Sequence, residues 1–113
     1  MKKIFITIAF TIFATGASAH SVLKFMSPAN NAIITQTPKT IELSFKNSIY
    51  LTKNTLEYDD KPTILLDLSA TKGFVTDYSI PLKQFGSGSY NFEWRGLGKD
   101  GHILIDSFGF VVK

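Results

Sequence analysis

The sequence predicts an all-β fold, a β-sandwich of about seven short strands. Three observations carry that expectation. Apolar and polar residues alternate with period two in several stretches. Turn-forming residues recur roughly every 8–12 positions. No sustained 3.6-residue apolar repeat follows residue 20, so no amphipathic helix is expected.

Ser21–Met26 reads as the first strand, stopped by Ser27–Pro28. Ala29–Asn31 has turn chemistry, because asparagine tolerates left-handed backbone. Ala32–Ile34 is a brief pairing segment before Thr37–Pro38. Thr40–Lys46 sets Ile41, Leu43 and Phe45 on one face and Glu42, Ser44 and Lys46 on the other. Ile49–Leu51 either extends that strand or crosses between layers. Asn54–Tyr58 alternates again, and Asp59–Asp60–Lys61–Pro62 is a turn. Thr63–Leu68 and Phe74–Ile80 follow as strands. Tyr90, Phe92 and Trp94 alternate with Asn91, Glu93 and Arg95, the clearest strand in the chain. Gly96–Gly101 reads as a loop and Ile103–Val112 as the last strand, with Gly109 expected at a bulge.

Residues 1–19 have the form of a secretion signal. Lys2 and Lys3 precede an apolar run, Ile4–Phe13, and Ala17–Ser18–Ala19 fits a small-x-small cleavage site. The run is too short to span a bilayer comfortably, and no second candidate span follows. Cleavage after Ala19 leaves residues 20–113 as one domain, exported to the periplasm. Twelve basic residues fall to ten against nine acidic ones, so the formal net charge drops from +3 to +1. No basic stripe survives that would mark a nucleic-acid surface. The chain has no cysteine, which excludes thiolate metal sites and thiol redox chemistry.

The chain has two histidines, His20 and His102. Cleavage after Ala19 makes His20 the first residue, with a free α-amine beside its imidazole. Both groups shed protons near neutral pH and together can chelate a metal. Copper(II) binds most strongly among divalent first-row ions and favours nitrogen and oxygen ligands in a tetragonal array. His102 offers a further nitrogen and Asp100 an oxygen. In extended backbone, residues two apart project to the same side. Against this, Asp100–Gly101 is by itself a hairpin-turn dipeptide, a single histidine is more often a surface residue, and His20 owes its position to the signal's end. No Ser/His/Asp set can be assembled from the histidines present.

The quoted stretches resemble the CopC family of small periplasmic copper-binding proteins. His20–Ser21–Val22–Leu23, Ser27–Pro28–Ala29–Asn30–Asn31–Ala32 and Pro38–Lys39–Thr40–Ile41–Glu42–Leu43–Ser44–Phe45 resemble its N-terminal half. Gly88–Ser89–Tyr90, Trp94–Arg95, Asp100–Gly101–His102 and Phe108–Gly109–Phe110–Val111–Val112 resemble its C-terminal half. The resemblance implies an immunoglobulin-like Greek-key sandwich. It also implies one Cu(II) ion per chain, held by the amine and imidazole of His20, the carboxylate of Asp100 and the imidazole of His102. A role as carrier or buffer in copper resistance or import follows, beside a CopD-type inner-membrane protein. Some members also hold Cu(I) on methionines, but here only Met26 remains after cleavage, and it is expected in the core. Trp94 is expected to be a core anchor, and Glu93 and Asp106 to be solvated. Two other functions are compatible with parts of the sequence: a metal-free immunoglobulin-like interaction module, and a copper-dependent oxidative enzyme. The second resembles the chain only at His20, so a non-enzyme is expected.

Overall fold

The computed structural model describes residues 22–67 and 73–113. Those residues form seven strands and no α-helix: β1 (Leu23–Ser27), β2 (Ala32–Ile34), β3 (Thr40–Tyr58), β4 (Ile64–Leu65), β5 (Val75–Pro81), β6 (Gly88–Gly98) and β7 (Ile103–Val112). The expected all-β sandwich is what the chain forms.

β3 is the strand both layers share. Its first half pairs antiparallel with β1 on one side and β5 on the other. Its second half pairs with β6 and with the short β4. β7 then lies antiparallel to β6, and β2 runs parallel to the end of β7. Ile41, Leu43, Phe45, Ile49 and Leu51 are buried, and after Thr52 and Lys53 the buried positions become Asn54 and Leu56. Inward positions therefore switch from odd to even numbers. The register of β3 on β6 shifts between Leu51 and Lys53, which is the bulge that permits the switch.

The sequence expectation of two strands, 40–46 and 54–58, is corrected to one of 19 residues. Polar Lys46–Asn47–Ser48 and the change of parity hid its continuity. Tyr78 occupies the point where β3 leaves β5. The β3–β5 register is irregular between Ser44 and Ile49. There the Tyr78 hydroxyl donates to the Ile49 carbonyl at 2.5 Å and accepts from the Leu51 amide at 3.3 Å. Backbone groups that lose ladder partners are thus satisfied by a side chain. Burial pushes the Tyr78 phenol above its ordinary pKa.

The layers meet through aromatic rings. Phe45, from the first half of β3, packs edge-on against Trp94 of β6 at 5.1 Å between centroids. Phe45 also meets Tyr78 at 6.0 Å. Along β6 and β7, Tyr90 stacks on Phe110 and Phe92 leans on Phe108. Trp94 is fully buried, as expected, and Met26 packs against the core.

Other expectations need correction. The strand expected over 63–68 shrinks to Ile64–Leu65 in the described residues. Gly109 is not at a bulge, since the β6–β7 register is regular through it. The Asn30–Asn31 turn docks on its backbone: its amide donates to Asn30 Oδ1 and its carbonyl accepts from the Asn31 amide. A Cβ at Gly109 would lie 3.0 Å from the Tyr90 carbonyl oxygen. Asp106 is half-buried on the inward row, where a solvated position was expected. Asp59 serves the expected turn, its Oδ1 accepting from the Ser89 amide at 2.8 Å.

Phe45→Ala removes the ring that joins the layers and leaves a cavity. It should lower stability by about 3–5 kcal/mol, measured by urea denaturation with the fluorescence of Trp94 as the probe.

Candidate metal centre

The β6–β7 ladder continues without interruption to Leu97 and Ile103. Beyond it the Gly98 amide donates to the His102 carbonyl at 2.9 Å, and the Gly101 amide donates to the Gly98 carbonyl at 3.0 Å. Lys99, Asp100 and Gly101 are therefore a three-residue hairpin loop. Gly101 sits at φ +90°, a conformation that glycine adopts without steric penalty. The Asp-Gly turn reading and the ligand reading are both compatible with this loop.

Asp100 and His102 do converge, though not by extended geometry. Asp100 folds back over the turn. Its Oδ1 accepts from the His102 amide at 3.1 Å, and its Oδ2 lies 2.8 Å from His102 Nδ1. Gly98 makes room for this carboxylate: a Cβ there would lie 2.9 Å from Asp100 Oδ1. The loop expected over Gly96–Gly101 is corrected to residues 99–101, because β6 runs on through Gly98. Its signal was the second glycine two residues after Gly96, at the point where alternation stops.

Both side chains are open to solvent, 80% for His102 and 69% for Asp100. The hydrogen bond from His102 holds the Asp100 carboxyl below its ordinary pKa, and the same bond raises that of His102. In the neutral ring Nδ1 carries the proton toward Asp100, which leaves the Nε2 lone pair available. Carboxylates fix the tautomer of metal-binding imidazoles in this manner.

The pair borders an open cleft of about 740 Å³. Val22, Asn47, Ser48, Ile49, Gly98, Lys99, Ile103 and Leu104 line the rest. Val22 is the first described residue, and β1 begins directly after it, with Leu23 opposite Phe45. His20 lies outside the described residues. It is two residues from Val22, a chain reach of at most about 7 Å. Among the described residues no three His, Cys, Asp or Glu side chains gather as a metal cluster. Trp94 is four positions before Gly98 along β6, roughly 13 Å from the loop at strand spacing, so it is an anchor of the core and not a wall of this site.

A sandwich with an Asp-x-His hairpin at one end, adjoining the entry of the first strand, is the setting for the comparisons with known proteins. A family model, the CopC domain, matches residues 23–113. The chain belongs to the CopC family. Copper resistance protein C of Xanthomonas campestris pv. juglandis is 27% identical over 117 residues, taking in 96% of this chain and 91% of the relative. The crystal structure of CopC from Methylosinus trichosporium OB3b superposes with a TM-score of 0.60 at 21% identity, covering 80% of this chain and 91% of that one. PcoC, a copper resistance protein from Escherichia coli, gives 0.55 at 20% identity, with 80% and 98% covered. The structural likenesses carry the fold. Family membership gives the chain a copper-related function.

The Asp100–His102 pair should titrate as one unit. His102 is raised, so its contribution to loop order is complete below its unperturbed pKa and fades as pH climbs through the raised value. Asp100 is depressed, so its contribution is present above its unperturbed pKa and fades as pH falls through the lowered value. Asp100→Asn should move the His102 midpoint down toward 6.5, its ordinary value, read from the imidazole C–H resonances by NMR. An unchanged midpoint would show that the pair does not form in solution.

Proposed function

We propose that the chain is exported, cleaved after Ala19, and binds one Cu(II) ion as a periplasmic carrier or buffer. The ligands are the α-amine and imidazole of His20, the imidazole of His102 and the carboxylate of Asp100. The observation that carries this reading is the shared cleft: Asp100 and His102 border it, and so does Val22, two residues from His20. The donor set fits the ion, three nitrogens and one oxygen in the combination that a tetragonal divalent copper favours. The alternative soft donors are missing or engaged, since there is no cysteine and Met26 packs against the core. We infer accordingly a Cu(II) protein and not a Cu(I) protein. A CopD-type inner-membrane protein is the proposed receiver of the ion, and no catalytic step is assigned.

The 2.8 Å contact between Asp100 and His102 Nδ1 favours a second role for Asp100. With Nδ1–H held by the carboxylate, His102 binds through Nε2 and Asp100 orients the ring. As a direct ligand Asp100 would leave that bond. The two roles differ in the spectrum: loss of a direct oxygen ligand in Asp100→Asn changes the copper d–d and EPR parameters, whereas loss of an orienting partner lowers affinity and leaves them nearly unchanged.

The deciding experiment is a Cu(II) titration of residues 20–113 against the same protein with one extra residue before His20. The extra residue keeps the imidazole and converts the amine into an amide. Loss of a partner outside the ligand set costs about 10–100-fold in metal affinity, so loss of the amine itself should cost more than that. His102→Ala should weaken binding comparably. Affinity should rise with pH through the range roughly 6–8, because the proton on His102 and the proton on the amine both compete with the ion. Equal affinity for the two N-termini would sink the N-terminal chelate.

A further inference from the structure

The outer face of the second layer is graded along its length. At the loop end, Tyr50, Leu97 and Ile103 stand opposite one another across β3, β6 and β7. The next row is Lys53, Arg95 and Ile105, and the row after it Thr55, Glu93 and Ser107. Phe74 extends the first row by meeting Tyr50 edge-on at 5.6 Å, and Lys99 Nζ lies 5.8 Å from the Phe74 ring. Ile103 is 67% exposed and Ile105 47%, and Tyr50 and Phe74 are also exposed. An apolar band thus lies beside the Asp100–His102 hairpin, flanked by Lys53, Arg95 and Lys99, while the acidic Glu93 sits further off.

We propose that this face adsorbs to an anionic phospholipid surface. A contiguous exposed apolar patch marks an interaction site, and the charge around this one selects the occupant. Three cations complement a negative headgroup layer. Their alkyl stems and the aromatic rings suit the boundary between headgroups and acyl chains. Glu93 lies one row further along, and the three cations outnumber Asp100, the exposed carboxylate at the hairpin tip. Adsorption in this orientation brings the hairpin tip to the membrane surface. The inference stands on exposed residues that bind no metal, so it neither needs nor supports the copper reading. A copper-free preparation tests it separately.

The test is sedimentation of copper-free residues 20–113 with vesicles. The buried core runs from Ile41 to Val112, so removal of residues 1–19 leaves it whole and excludes binding by the apolar leader. Vesicles of phosphatidylcholine alone are compared with an equimolar phosphatidylcholine–phosphatidylglycerol mixture. Partition should favour the anionic vesicles and weaken as salt is added. Lys53→Gln/Arg95→Gln/Lys99→Gln should reduce it roughly a hundredfold, at about fivefold per cation. Lys24→Gln/Lys39→Gln/Lys83→Gln removes the same charge elsewhere and should retain far more. Ile103→Ser/Ile105→Ser should weaken partition with the charge unchanged, and its thermal midpoint checks that it folds. Equal partition on both vesicles, or equal losses in the two triple variants, overturns the proposal. So does absence of partition on the anionic vesicles, the result expected if the face serves an acidic protein instead.

Discussion

The bulge at Thr52–Lys53 is the constraint on which the rest of this molecule depends. A strand that kept strict period two from Ile41 onward would turn Leu56 outward and bring Thr55 and Glu57 into the core. The extra residue resets the pleat, so one strand supplies an inward face to each layer in turn. Phe45 and Trp94 can then meet at 5.1 Å, and β6 and β7 are held at the register that ends at Leu97 and Ile103. Tyr78 secures the crossing by bonding to Ile49 and Leu51, the backbone next to the bulge. The position of the Asp100–His102 hairpin follows from this register, since it is the closed end of the β6–β7 ladder.

Much of the fold was legible because most strands bury one face only. Period two in Thr40–Lys46 and Tyr90–Arg95 directly records which side meets the core. What stayed hidden was where two rules met. The unity of β3 was masked by a polar stretch at Lys46–Ser48 and by the parity change at the bulge, both of which look like a turn when read locally. The parallel pairing of β2 with β7 is a long-range contact between a three-residue segment and the chain's end, and such short segments carry little pattern. Gly109 does not mark a bulge: it lies in a regular register, where a Cβ would crowd the Tyr90 carbonyl of the paired strand, and a lone glycine in a strand does not tell these two causes apart.

The candidate site was legible in part. Asp100 and His102 are two apart in sequence, and their convergence needs only a turn that Asp-Gly specifies well. The mechanism of convergence was not legible, because it depends on a hydrogen bond across the turn and on the space that Gly98 leaves. His20 is a different case. The role proposed for it rests on where a peptidase would cut and on the cleft beside Val22. The family match, over residues 23–113, begins three residues after it.

The hairpin that carries Asp100 and His102 is closed by its own backbone bonds, Gly98 to His102 and Gly101 to Gly98. The side chains of Asp100 and His102 stand in solvent, away from the aromatic rings of the core. Folding therefore places little demand on what these two positions are. A chain that lost either side chain would still assemble into the same sandwich. Selection for folding does not guard these two positions, so only what they do for the folded protein can preserve them across generations. The same independence leaves the loop open to redesign, since new ligands grafted there would not have to be reconciled with the core.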